Sequence, residues 1–145
     1  MGVQKGLKMK KIFSIFGFLF LCGCGAGSLE RPIQDDLNSE LAKQTLNPEI
    51  SLQFGKHDIK GKNLGTFVSN KKTNASNKYA EESCRIAFLS AVKSLQSRAE
   101  KEGGNAVVNI HSYYKKVPSW SDTTYHCEDG NLMSGVALRG TVVKQ

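Results

Sequence analysis

Between about Lys78 and Glu102, Cys84, Ala87, Phe88, Ala91, Val92, Leu95 and Ala99 recur at steps of three and four residues. That spacing draws one apolar stripe along a helix, and it cannot be laid on a strand, whose sides alternate every second residue. Glu81 and Glu82 sit where the helix dipole is positive, and Arg98 and Lys101 where it is negative. Ser76 or Asn77 can accept from the free amides of the first turn, and Gly103-Gly104 supplies the left-handed residue that ends the last one. Leu95 falls inside the stripe, whereas Gln96 beside it is expected to face solvent.

A helix with a single stripe needs a partner surface, and the flanking sequence offers strands. Glu49 to Phe54 alternates, with Ile50, Leu52 and Phe54 on one side and Gly55 as the stop. A short strand is expected near Gly65 to Ser69, and the polar run Asn70 to Asn77 reads as a turn or exposed loop. After the helix come Ala106 to Tyr114, about Thr123 to Cys127, and Leu132 to Val143, with a turn over Glu128 to Asn131. The order β-β-α-β-β-β predicts an α+β domain over residues 49–145: a small antiparallel sheet with one long amphipathic helix on one face. Its core is small, so its stability is expected to be marginal.

The N-terminus reads as an address. Lys10-Lys11 opens onto the apolar run Ile12 to Leu21, too short for the roughly 20 apolar residues of a membrane-crossing helix. A basic flank, a short apolar core and small residues after it describe a secretory signal over residues 1–23, with Met9 the more typical start. Leu21-Cys22-Gly23-Cys24 resembles a lipobox, with Leu three before the modified cysteine and a small residue just before it. The resemblance implies lipidation of Cys24 and cleavage after Gly23, hence a membrane partner through that anchor. Gly25 rather than Asp follows, which favours the outer membrane, facing the periplasm. Residues 24–48 read as a polar tether, with a short helix over Asp35 to Gln44 and Pro48 at its end.

Export changes the charge and cysteine accounts. The formal net charge of +7 includes Lys5, Lys8, Lys10 and Lys11; without them 16 basic and 13 acidic residues remain, about +3. That is too mild for a nucleic-acid binder, and no basic stripe with interleaved aromatics supports one. Cys84, on the helix stripe, and Cys127, in a late strand, are expected to form a disulfide, which an oxidising compartment permits.

No phosphate-cradling Gly-x-x-x-x-Gly-Lys-Ser/Thr run occurs, nor Gly-x-Ser-x-Gly, His-Glu-x-x-His or Cys-x-x-Cys. No nucleotide, cofactor, metal or catalytic residue is expected, and the chain is not expected to be an enzyme. His57 and His111 are isolated imidazoles expected at the surface; His126 adjoins Cys127, but strand neighbours point to opposite faces. The distinctive patch is Tyr113, Lys115, Lys116 and Trp120 around Pro118, since aromatics beside cations suit partner recognition. Alternation predicts Tyr113 outward with Val107, Asn109 and His111, and Tyr114 inward with Ala106, Val108 and Ile110.

Asn70-Lys-Lys-Thr-Asn-Ala75, Cys84-Arg-Ile-Ala-Phe-Leu-Ser-Ala91, Gly103-Gly-Asn-Ala-Val-Val-Asn-Ile110 and Ser112-Tyr-Tyr-Lys-Lys116 resemble small exported bacterial proteins often labelled "excinuclease ATPase subunit". The label implies nucleotide chemistry, for which this chain has neither phosphate loop nor zinc-binding cysteine clusters. A cysteine opening a helix, Gly-Asn-Ala-Val-Val after it, a second late cysteine and Gly135-Val-Ala-Leu138 are more distantly similar to the outer-membrane lipoprotein sensor of the Rcs phosphorelay. YbjQ-like domains share the helix-then-Gly/Ala-Val pattern. The Rcs resemblance implies a small α+β domain with paired cysteines; it departs in having one candidate disulfide and only Pro32 and Pro48 before the domain. The sequence therefore points to a non-enzymatic envelope lipoprotein that binds an envelope protein or other component, with stress sensing as one use. The alternative is a periplasmic domain for a small ligand or metal.

Overall fold

In the computed structural model, which describes residues 27–145, the chain runs β1 (Gly27–Pro32), α1 (Ile33–Leu37), α2 (Glu40–Thr45), β2 (Ser51–Phe54), β3 (Lys62–Asn74) and α3 (Ala80–Glu102). β4 (Ala106–Ser112), a 3-10 turn (Tyr114–Lys116), β5 (Thr124–Asp129) and β6 (Met133–Lys144) follow. The fold is α+β, with six strands in one sheet and α3 packed across one face of it. β6 is the central strand: β3 lies along one side, while β4 and β5 share the other. β1 extends the sheet beyond β5, and β2 extends it beyond β4. The sheet is mixed rather than antiparallel, because β2 runs parallel to β4.

Every member of the predicted stripe is buried against the sheet. Phe88 is at its centre, stacked on Tyr125 at 3.9 Å and tilted against Phe54 at 5.9 Å. Gly140 leaves room for Val107 and Ile110 on the neighbouring strand β4, since a Cβ there would sit 2.7 Å from a Val107 methyl. Cys84 on α3 and Cys127 on β5 form a disulfide, their Cα atoms 5.9 Å apart, which ties helix to sheet across 43 residues. At the helix end Gly103 takes φ 78°, and its amide and the next bond back to Glu100 and Ala99. The predicted start is displaced: the cap position is Tyr79, with no side-chain bond, so neither Ser76 nor Asn77 caps.

The segment read as a tether belongs to the fold from Gly27 onward. β1 pairs with β5 along its length, and Ile33 and Ala42 join the core. A buried carboxylate clamps the segment in place. Asp36 accepts from the Tyr125 hydroxyl and from Arg85 Nε at 2.8 Å, with Arg31 at 3.6 Å. The Asp36 carboxylate raises the pKa of Arg85, and burial raises that of Tyr125.

Gln96 also departs from expectation. It is 1% exposed, its carbonyl accepts from Asn47 N, and its amide donates to the Asn47 and Ile50 carbonyls. A side chain just off the stripe thus supplies hydrogen bonds to the loop that carries the chain from α2 to β2. β3, expected over a few residues, extends through the polar run to Asn74, because the whole run pairs with β6.

Candidate functional site

α3 covers one face of the sheet, and the site lies on the other. A bulge in β4 decides which residues reach it. Asn109 takes φ 51°, a left-handed conformation that asparagine tolerates better than most residues, and the β4–β6 register shifts between Val108 and His111. Simple alternation therefore fails there. Val107 and Ile110 both join the helix-side core, while Ala106 and Val108 pack with Val143 in a separate small cluster. The Asn109 side chain secures the bulge by bonding both backbone groups of His57, at 2.9 and 3.0 Å.

His111 is buried on this open face, not a surface imidazole. Beyond β4 the chain turns through Tyr114–Lys116 and returns, with Ser119 bridging back to Ser112. The return lays Trp120 flat on His111, ring centroids 3.7 Å apart. Tyr113 stands edge-on to the same imidazole at 6.1 Å. Two cations close the group: Arg139 lies 5.1 Å from the Tyr113 ring and Lys56 5.9 Å from the Trp120 ring. His111 Nδ1 donates to the Asn109 carbonyl at 2.8 Å, since a carbonyl can only accept. Its Nε2 is buried without a hydrogen-bond partner. Burial, and then the charge of Arg139, hold the His111 pKa below its ordinary value.

The predicted patch is thus divided. Tyr113 and Trp120 meet around His111, but Lys115 turns away to the ring of Tyr114, 5.3 Å distant. Lys116 is exposed, with no ring or carboxylate against it among the described residues. Tyr114 does not point inward as alternation predicts; it is half-buried on the open face, 5.2 Å from the ring of His126. The reason is that β4 ends at Ser112, so both tyrosines lie beyond the strand. Lys115 and Lys116 adopt φ of 51° and 63° in succession. Left-handed non-glycine residues cost on the order of 1 kcal/mol each and persist only where the surroundings hold them.

His126 lies between two carboxylates, Nε2 at 2.8 Å from Glu128 and Nδ1 at 3.4 Å from Glu30. The carboxylates meet opposite ring nitrogens, so they do not converge on one point where an ion could bind. The Ser28 hydroxyl, donating at 2.7 Å, holds the Glu128 carboxyl below the usual range, aided by His126 and Lys115. An open groove of about 370 Å³ runs from Tyr114 and Lys115 past Lys72 to Met133.

The sequence marks His111 as an isolated surface imidazole and Asn109 as an outward strand residue, and it gives no role to Arg139 or Lys56. Its one available signal was an asparagine interrupting an otherwise apolar strand, Val107-Val108-Asn109-Ile110. No protein-family model, curated relative or solved structure matches the chain.

Proposed function

We propose that this protein is a lipid-anchored cell-envelope protein that works by binding another envelope component through the open face of its sheet, and not by catalysis. One observation carries the reading: the aromatic and cationic group built around His111. Trp120 remains 45% exposed, and its neighbours Tyr113, Arg139 and Lys56 present ring faces and positive charge together. That chemistry suits an interface, where aromatic residues and arginine are enriched and anchor the contact. By register Lys72 of β3 and Arg139 of β6 lie on this face, and with Lys56 they make the surface around Trp120 positive, so the partner surface should be acidic. The lipobox supports the anchor at Cys24, which lies outside the described residues together with the signal segment. The disulfide supports an oxidising compartment. Sensing envelope stress is one task such a contact can serve.

Two measurements test this reading. Cys24→Ser should abolish incorporation of labelled fatty acid, and undiminished labelling would refute the anchor. A photoreactive amino acid in place of Lys116, exposed in the turn between Tyr113 and Trp120, should form a discrete adduct in intact cells. The same amino acid in place of Gln44, on the helix side, should not. Equal adducts from both positions would refute the assignment of the face.

A further inference from the structure

The lipid anchor and the start of the fold are close enough in sequence to orient the domain. Cys24 precedes Gly27, the first residue of β1, by three positions. Three residues reach at most about 10 Å even when fully extended. Resting on the lipid-anchor reading, the end of the sheet where β1 begins must lie within that distance of the bilayer.

The register identifies what else lies at that end. Gly27 pairs with Asp129 at the end of β5, Asp129 with Ser134 at the start of β6, and Met133 with Asn74 at the end of β3. The two connections there are the β5–β6 turn and the β3–α3 turn, joined by Ala75 N donating to the Leu132 carbonyl at 2.8 Å. The two most exposed large apolar side chains on the domain are on these turns: Tyr79 at 86% and Leu132 at 71%, with Met133 half exposed beside them. Folding does not require them to be apolar.

The charges at this end are sorted as well. Lys71, Lys72 and Lys78 form no salt bridge among the described residues. The acids are mostly engaged within the protein: Glu81 with Arg85 and Arg31, Asp129 with Ser134, and Glu128 with Ser28 and His126. Glu82 is the exception, exposed in the first turn of α3.

We propose that this end is a membrane seat: Leu132, Met133 and Tyr79 enter the headgroup region of an anionic bilayer, and Lys71, Lys72 and Lys78 meet its phosphates. A short apolar tip ringed by lysines is the pattern that binds such interfaces, at a depth of about 5–10 Å. The seat stands the strands away from the membrane. The open face around His111 then looks sideways into the compartment, free to meet a partner.

The test uses the full lipidated chain, purified from membranes and reconstituted into phosphatidylethanolamine–phosphatidylglycerol vesicles. Trp120 is the only tryptophan, so Trp120→Phe gives a silent background. On it Leu132→Trp and Tyr79→Trp report on the seat, and Ile59→Trp reports on the opposite end, in the β2–β3 loop. Phospholipid brominated near the top of its acyl chains should quench L132W and Y79W strongly and leave I59W bright. Flotation with the vesicles separately reports the anchor. Protein that floats while L132W and Y79W are quenched no more than I59W overturns the seat alone. Protein that fails to float overturns the anchor reading, and the seat with it. All four substitutions are at exposed or half-exposed positions, and an unchanged thermal melt for each checks that the fold is intact.

Discussion

On the helix side of the sheet, Phe88 stacks on Tyr125 with no exposure to water, and a disulfide lies beside the pair. On the other side, Trp120 stacks on His111 at nearly the same separation, yet remains half in solvent, with Lys56 by its ring and Arg139 by the ring of Tyr113. The two stacks are alike in geometry and differ in surroundings. The first excludes water and adds to the core. The second holds a polar ring under a partly wet aromatic, with a buried Nε2 left unpaired, an arrangement that contributes little to stability and much to surface character. One face builds the main core, and the other buries only the small Ala106, Val108 and Val143 cluster and displays a partly wet aromatic and cationic surface.

Substitutions can break or sharpen that contrast. The largest effect should come from Phe88→Ala, which removes the central ring of the helix side and should cost about 3–5 kcal/mol in urea denaturation. A cost no larger than that of an exposed side chain would mean the core has been misplaced. Removing the disulfide by the double change Cys84→Ala with Cys127→Ala should cost about 2–5 kcal/mol, because the unfolded chain regains the freedom of a long loop. Protein taken from the envelope with both thiols reactive would contradict the pairing.

Gln96→Ala is the sharpest departure from what its sequence position indicates. Three hydrogen bonds to the Asn47–Ile50 segment are lost, and buried groups are left unpaired, so about 1–3 kcal/mol should go. Faster amide exchange at Asn47 should accompany the loss. A neutral Gln96→Ala would return that side chain to solvent, as its position off the stripe implies.

How much of this was legible follows from what each segment buries. The α3 stripe, the end at Gly103 and the cysteine pair could be read because a long one-sided helix repeats its signal many times. The β1–α1–α2 segment could not. Its contribution to the core is a few separated residues such as Ile33 and Ala42, and its most buried polar group is the charged Asp36. Nothing local announces that Arg85 and Tyr125, far along the chain, will satisfy that carboxylate. β3 was cut short because its polar end looks like a loop until β6 supplies a pairing partner. On the open face, Tyr113 and Trp120 stood out by composition. The bulge at Asn109 that places His111 beneath them is a backbone event, with only one residue to signal it.

A pH experiment separates the faces more gently. Buried His111 takes up its proton at a lower pH than the unfolded chain does, so between those two values the unfolded state binds the extra proton. Stability should therefore fall as pH drops below about 6.5, the ordinary histidine value. His111→Gln should flatten the part of the melting-temperature profile just below about pH 6.5, while losses at lower pH from carboxylates such as Glu128 persist. Parallel profiles would mean that His111 titrates as a solvated imidazole.

The smallest effect on stability belongs to the residues that matter most to the proposed function. The decisive measurement is the yield of the in-cell photo-adduct from position 116, compared between the otherwise unaltered protein and one carrying Tyr113→Ala with Trp120→Ala. The melting temperature of each is taken alongside. The expected result is an adduct reduced at least several-fold, with melting shifted by no more than the few degrees that follow from a loss of about 1 kcal/mol. An undiminished adduct would contradict a binding role for the open face, and unfolding of the double variant would make these aromatics part of the core instead.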